Sequence, residues 1–199
     1  MISDKFVIIG AIIQLWGCFV YAKDTLSGKA KPNRVTWFLW FLAPAVAFAA
    51  EINKGVGLVS LMTLSVGLGP LMVLAVSFVN KKSYWRLRRT DYICGFLSIL
   101  GLVLWLVYSD GNIAIILNIA ADLAAGAPTL IKSFRHPETE SVEAYWVAII
   151  NAGITLLAIK NWTVAHYGFP IYIFLVNVIF VALIQYKAGL KLTRKAEVL

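Results

Sequence analysis

The sequence is poor in charged residues, and the charge that it carries is mostly basic. Charged residues make up 14% of the 199-residue chain, with 10 acidic residues against 18 lysines and arginines. Soluble domains carry about 25% charged residues, so this composition argues against an ordinary soluble protein. The cysteines, Cys18 and Cys94, both fall within apolar stretches. They do not have the number or spacing of a disulfide framework or a metal site.

The sequence also lacks a recognisable catalytic group. His136 and His166 fall on opposite sides of the predicted membrane and cannot pair. No glycine-rich phosphate loop follows a strand, and no clustered ligands suggest a metal. We therefore expect neither enzymatic activity nor a cofactor, and an intramembrane enzyme ranks last among the functional hypotheses.

Long apolar stretches dominate the composition. Hydrophobic residues make up 60% of the chain and the mean hydropathy is +0.80. About 20 apolar residues are needed to cross the hydrocarbon core of a bilayer. The sequence predicts an all-α membrane protein with seven transmembrane helices, centred on residues 6–22, 35–50, 55–79, 92–108, 113–131, 145–159 and 167–186.

The basic residues alternate between the connections of these predicted helices. Fifteen of the 18 lysines and arginines fall in the first, third and fifth connections and the C-terminal tail, whereas Lys5, Lys54 and Lys160 lie on the other side. Cytoplasmic loops are enriched in Lys and Arg. We expect a bacterial inner (plasma) membrane location with the N-terminus outside and the C-terminus cytoplasmic. We then expect the basic residues to set the membrane topology and to contact the lipid bilayer, and not to bind nucleic acid.

The two ends of the chain show a weak internal repeat. An offset of 109 residues superposes two basic connections of similar length, together with Gly17 on Gly126, Lys23 on Lys132, Trp37 on Trp146, Ala43 on Ala152 and Ala49 on Ala158. The sequence therefore predicts a three-helix bundle (1–90), a connector helix (91–110) and a second three-helix bundle (111–199). An odd connector gives both bundles the same orientation, which is the parallel 3+1+3 arrangement of some secondary transporters.

The segment from Ala127 to Arg135, followed by residues 139–143 (Thr-Glu-Ser-Val-Glu), resembles the second-repeat signature of the SWEET sugar transporters and the wider PQ-loop group. The resemblance implies the 3+1+3 fold and transport of a small solute such as a sugar or an amino acid. It also implies that Pro128 acts as a gating hinge and that Asn177 contacts substrate. The sequence departs from the family pattern at Phe19, Trp37, Trp146 and Thr129, which replace the other hinge prolines and the glutamine of the PQ motif.

Asp122 is the most informative polar residue because it lies near the middle of the fifth predicted helix. An acidic residue at that depth costs about 2.5–3.5 kcal/mol on insertion scales. It either binds a ligand or a coupling proton, or forms a structural hydrogen bond between helices. Asn118, Asn151 and Asn177 lie at membrane depth with it and are candidate substrate-binding residues, or else join helices. The first half offers the weaker polar candidates Gln14, Thr63 and Ser65.

The tryptophans permit two interpretations. Trp37, Trp40 and Trp146 lie at the predicted cytoplasmic ends of helices, where an aromatic belt is common. Alternatively, Trp37 and Trp146 form an inner gate, since they stand where the resemblance places prolines. We expect the acidic residues of the fifth connection, Glu138, Glu140 and Glu143, to face water.

The leading functional hypothesis is a small-solute transporter that works by alternating access and is proton-coupled if Asp122 titrates during the cycle. The alternative is a non-transporting receptor or sorting protein on the same fold, which would bind a ligand without moving it. The partners expected are a small-molecule substrate and the bilayer, and homo-oligomer formation stays open.

Overall fold

The computed structural model describes residues 2–53, 58, 60–80, 83, 85–107, 111–160, 162 and 164–187. Within these ranges the chain forms seven α-helices: α1 (Phe6–Ser27), α2 (Arg34–Asn53), α3 (Ser60–Ser77), α4 (Arg89–Val107), α5 (Gly111–Arg135), α6 (Glu143–Ala158) and α7 (Val164–Gln185). A short 3-10 turn, Pro137–Thr139, joins α5 to α6. The prediction of an all-helical protein is confirmed, and each predicted apolar stretch overlaps one helix.

Three of these helices are long and apolar enough to cross a membrane, over Phe6–Ser27, Ser60–Ser77 and His166–Gln185. Helix α6 is apolar but shorter. Helix α4 turns large apolar side chains outward, among them Tyr92, Ile93 and Phe96, each more than half exposed. An apolar exterior of this kind marks a surface that contacts something other than water, which agrees with a membrane location.

Helices α1–α3 and helices α5–α7 are called here the first and second three-helix groups. Helix α3 packs against both α1 and α2, and α7 packs against both α5 and α6. The two groups meet where α1 contacts α6 and where α2 contacts α5. Helix α4 packs against α5 and α2. In each group the third helix therefore lies against the other two.

Local capping determines the sharp reversal between α1 and α2. Gly28 ends α1 with a φ of 83°, a left-handed conformation that costs glycine little. Asn33 then starts α2, because its side-chain oxygen accepts hydrogen bonds from the amides of Val35 (3.1 Å) and Thr36 (3.4 Å). The short connection is thus fixed at one end by the Gly28 cap of α1 and at the other end by the Asn33 cap of α2.

The basic connections meet at one end of the helix bundle, called here the basic end. The Asn80 side chain donates to the Leu26 carbonyl at 2.7 Å, which joins the third connection to the last turn of α1. The Lys31 amide donates to the Thr139 carbonyl at 2.9 Å, which joins the first connection to the fifth. At the opposite end, the Ile2 amide donates to the Leu157 carbonyl at 3.1 Å.

Candidate functional site

Six helices contribute to a cavity between the two three-helix groups. Its volume is about 60 Å³, enough for a few water molecules. The lining comprises Gln14 and Cys18 from α1, Trp37 and Trp40 from α2, Val66 and Pro70 from α3, Asp122 from α5, Ala144, Tyr145 and Ala148 from α6, and Ile173, Val176, Asn177 and Phe180 from α7. The wall is mostly apolar, with polar groups concentrated on α1, α2, α5 and α7.

Asp122 is the acidic residue of this wall. Its side chain is buried, with 6% of the residue exposed. The Tyr172 hydroxyl of α7 donates a hydrogen bond to Asp122 Oδ2 at 2.7 Å. The preceding residue, Ala121, packs against Gly101 of α4, where an added Cβ would lie 2.9 Å from the Ala121 methyl. Consecutive residues of a helix lie about 100° apart around its axis, so Asp122 points away from the α4 side and lines the cavity.

Of the three asparagines predicted to bind substrate, one lines the cavity and one lies outside it. Asn177 lines the cavity, and its side-chain nitrogen donates to the Ile173 carbonyl at 2.7 Å. Asn151 is buried outside the cavity lining, donates to Ser65 Oγ at 3.4 Å and lies against Gly10 of α1. Asn118 is part of α5, but its side chain lies outside the described part of the structure. The structure thus places Asn177 and Asp122 on the wall of the same cavity and Asn151 between helices.

Several polar atoms of the cavity wall are buried without a partner. Among the described residues, Gln14 Oε1 and the indole nitrogens of Trp37 and Trp40 form no hydrogen bond of normal geometry, although the Trp37 indole lies near Tyr21 and the Trp40 indole lies near Asp122. Buried polar groups are nearly always hydrogen-bonded in proteins. The cavity wall therefore carries polar atoms whose hydrogen bonding within the protein is incomplete, which suits a polar ligand or water.

A cluster of aromatic rings adjoins the cavity on α1, α2, α6 and α7. Ring centroids lie 4.6 Å apart for Tyr21 and Trp37, 5.5 Å for Trp37 and Trp40, 5.8 Å for Trp40 and Phe180, and 4.4 Å for Tyr145 and Phe180. Trp37 is 2% exposed, so the belt interpretation is wrong for this residue.

Trp146 lies away from that aromatic cluster. It is 43% exposed, and its indole nitrogen donates to Gln185 Oε1 at 3.0 Å. The cavity lining includes Trp37 and Trp40 but not Trp146. Trp146 is thus separate from the cavity that the inner-gate hypothesis required it to close with Trp37, and the rings beside Trp37 are those of Tyr21 and Trp40.

A buried ion pair lies at the basic end, next to the aromatic cluster. Lys132 Nζ contacts Glu140 Oε1, and both side chains are almost fully buried. The hydroxyls of Tyr21 and Tyr145 donate to Glu140 Oε2 at 2.7 and 2.8 Å. Lys132 Nζ also donates to the Lys31 carbonyl. We call Lys132, Glu140, Tyr21 and Tyr145 the ion-pair cluster; it connects α1 to the second three-helix group.

The expectation that Glu140 faces water is wrong, because the residue is 6% exposed. The 3-10 turn at Pro137–Thr139 folds the chain back over the end of α5, which brings Glu140 to Lys132. Burial lowers the pKa of the Lys132 ammonium, and the Glu140 carboxylate opposes this shift by favouring the charged form. One feature of the sequence could have indicated this pair: Lys132 and Glu140 carry opposite charges and lie on either side of a turn that contains Pro137.

Pro128 lies where α5 meets α2. Proline has no backbone N–H, so the Ala124 carbonyl one turn earlier loses its helical hydrogen bond. The Thr36 hydroxyl donates to the next carbonyl, that of Ala125, at 2.7 Å. The Thr129 hydroxyl donates to Thr36 Oγ1 at 3.0 Å. The Thr36 side chain, which belongs to the other three-helix group, therefore hydrogen-bonds α5 beside the position where Pro128 interrupts its helical hydrogen bonds.

No protein-family model matches the chain, and no curated protein or solved structure is significantly similar to it. The resemblance to the SWEET and PQ-loop group consequently stays a prediction. In the part of the chain that the structure describes, no group of three or more His, Cys, Asp or Glu side chains is arranged to hold a metal ion.

Proposed function

We propose that the protein is an integral membrane carrier that moves a small solute by alternating access. One observation carries the proposal: a cavity holding a buried carboxylate and unpartnered polar atoms lies between two similar groups of three helices. Acidic residues buried among membrane helices commonly bind ions, protons or ligands. The carrier would cross the membrane seven times in the parallel 3+1+3 arrangement, with its basic end in the cytoplasm.

The pattern of helix contacts supports this arrangement. Contact of α1 with α6 pairs the first helix of one group with the second helix of the other, and contact of α2 with α5 is its symmetric counterpart. A two-fold axis along the membrane normal generates this pairing of equivalent contacts. Two such groups can rock against each other about the cavity while each keeps its internal packing.

The cavity wall favours a solute that combines an apolar body with an amine or hydroxyl group. The aromatic rings of Trp37, Trp40 and Phe180 offer apolar contact, and the indole N–H groups offer hydrogen bonds. Asp122 would hold a cationic group or the coupling proton, and Asn177 would contact the same solute. Since the present cavity accommodates only a few water molecules, a larger solute requires the two groups to separate.

In this proposal, closure at the basic end depends on the ion-pair cluster and on the contact of α2 with α5. Tyr21 joins α1 to Glu140 across the two groups, and Thr36 joins α2 to Ala125 and Thr129. Opening towards the cytoplasm would break both contacts. Pro128, directly beside the second contact, would act as the hinge.

The test begins with a thermal-shift screen of amines, amino acids, sugars and vitamins against purified protein. Solutes that stabilise the protein are then assayed for flux in proteoliposomes. We expect Asp122→Asn to reduce flux at least tenfold, with Asn151→Ser as a control for a buried polar residue outside the cavity. Flux that survives both Asp122→Asn and Asp122→Ala would remove the assigned role of Asp122. Binding without flux in the wild type would favour the receptor alternative.

A further inference from the structure

A second pocket, separate from the central cavity, lies at the basic end. Its volume is about 290 Å³, close to the lower limit of about 300 Å³ for small-molecule sites. The lining comprises Trp85, Arg88, Arg89, Thr90, Asp91, Pro128, Ile131, Lys132, Arg135 and His136. The pocket therefore lies between the connection that precedes α4 and the C-terminal turn of α5.

Three guanidinium groups surround this pocket. Arg88, Arg89 and Arg135 are exposed, and none of them forms an ion pair with a carboxylate among the described residues. Three like charges on one concave surface repel one another unless an anion neutralises them. Arginine binds phosphate with paired N–H groups in a planar fork.

The carboxylates in and near the pocket already form hydrogen bonds or ion pairs with groups other than the three guanidinium groups. Asp91 is 3% exposed, accepts a hydrogen bond from the Asn33 side chain at 2.7 Å and accepts another from the Arg88 amide. Glu138 lies 3.4 Å from His136 Nδ1, and Glu140 pairs with Lys132. The Asp91 carboxylate is held by neutral donors and offsets one of the three arginines, so the pocket keeps a net positive charge.

The position of the pocket at the start of a helix also suits an anion. The first turn of α4 lines the pocket with Arg89, Thr90 and Asp91, and the N-terminus of a helix favours negative charge. The Trp85 ring lies 5.5 Å from the His136 ring and 5.1 Å from Lys132 Nζ, which gives the pocket an aromatic wall.

We propose that this pocket binds a phosphate group. The phosphate would belong either to the headgroup of an anionic lipid or to a soluble phosphate compound. The lipid source has structural support, because Ile131 of the pocket wall is 48% exposed and the neighbouring α4 turns Tyr92 and Ile93 outward. A headgroup at the arginines would leave its acyl chains beside this apolar surface.

The experiment uses full-length protein in two arms at constant ionic strength, since exposed charges are screened by salt. In the first arm, nanodiscs of phosphatidylcholine contain a small fraction of phosphatidic acid or phosphatidylglycerol, and retained lipid is counted by native mass spectrometry. In the second, inorganic phosphate is titrated into protein in uncharged detergent. Lipid retention alone identifies a headgroup site, and phosphate binding in detergent identifies a soluble ligand.

The decisive comparison is between two double variants of equal charge. Arg88→Ala/Arg135→Ala removes two pocket residues, whereas Lys29→Ala/Arg86→Ala removes two exposed basic residues of the same end that do not line the pocket. We expect the first to weaken binding about tenfold or more, as loss of charge-assisted hydrogen bonds predicts, and the second to change it less than about twofold. Equal losses in both variants, or no binding by the wild type in either arm, would overturn the proposal. If the pocket double variant does not fold, the single variants Arg88→Ala and Arg135→Ala serve the same comparison against Arg86→Ala.

Discussion

Lys132 and Glu140 form an ion pair inside the helix bundle. Both are buried at the basic end, where Tyr21, Tyr145 and the Lys31 carbonyl complete their hydrogen bonding. A buried ion pair adds little net stability compared with an apolar pair, but removal of one partner leaves an uncompensated buried charge. Loss of either partner should therefore disturb the connection between α5 and α6, which carries Glu140.

Removal of one partner should be far more damaging than removal of both. We expect Lys132→Met to cost about 3–5 kcal/mol of unfolding free energy. The double variant Lys132→Met/Glu140→Gln should recover at least half of that loss, because the amide still accepts from the tyrosines. Unfolding in detergent, followed by tryptophan fluorescence against denaturant, measures these differences.

The matched control for that cycle is the exposed pair Lys29–Asp24, whose atoms lie 3.2 Å apart with Lys29 65% exposed. Lys29→Ala should cost less than about 1 kcal/mol. A comparable loss in Lys29→Ala, or no recovery in the double variant, would mean that burial of the pair does not determine its effect.

At the level of helices, small residues determine how closely the two three-helix groups approach. A Cβ at Gly17 of α1 would lie 2.3 Å from a methyl of Val147 in α6 and 3.1 Å from the Glu143 carbonyl. A Cβ at Gly126 of α5 would lie 3.1 Å from the Trp40 ring. Close approach of this kind is typical of membrane helices, which pack through glycine and alanine.

Gly17→Ala should therefore destabilise the protein, by about 1–3 kcal/mol as overpacking usually does. Gly153 of α6 is the control, because a Cβ there would meet Phe174 at an ordinary 3.9 Å. Gly153→Ala should be neutral or stabilising by up to about 1 kcal/mol, since alanine favours helix over glycine. Thermal unfolding in detergent ranks the variants.

A second substitution at Val147 tests whether Gly17→Ala destabilises the protein by steric crowding between α1 and α6. Gly17→Ala/Val147→Ala removes the methyl groups that the new Cβ would meet, so it should regain most of the lost stability. If Gly17→Ala is as stable as Gly153→Ala, the contact between α1 and α6 is looser than the structure indicates.

At the scale of the whole molecule, the proposed transport cycle requires the two helix groups to move relative to one another. The hydroxyls of Thr36 and Thr129 lie 3.0 Å apart across the two groups. In a background with Cys18 and Cys94 replaced, oxidation of Thr36→Cys/Thr129→Cys should stop flux in proteoliposomes, and reduction should restore it. The single-cysteine variants are the controls, and flux that persists in the oxidised double variant would contradict movement at this contact.

The sidedness of the molecule has a direct test. Lys29 and Lys160 are both exposed and lie in connections predicted on opposite sides of the membrane. In intact cells, a membrane-impermeant maleimide should label Lys160→Cys and not Lys29→Cys, and disruption of the membrane should make both reactive. The reverse pattern would invert the proposed topology, and labelling of both in intact cells would mean that the chain between them does not cross the membrane as proposed.

The limits of sequence reasoning are clearest at particular residues. Asp122 and Asn177 could be singled out because polar residues inside apolar stretches are conspicuous. Glu140 could not, because a carboxylate in a basic connection normally faces water, and its burial depends on a turn that only the folded chain forms. Trp37 and Trp146 occupy equivalent positions in the internal repeat, yet one is buried and the other exposed.

The sequence by itself determined the helical character of the protein, the positions of its seven helices and the separation of basic charge to one end. These properties follow from the local distribution of apolar and basic residues along the chain. The tertiary structure decided which polar atoms share the cavity with Asp122, that Lys132 and Glu140 are buried together, and that three arginines surround a second pocket. Such properties depend on the rotation of each helix about its axis, which contacts between distant residues determine.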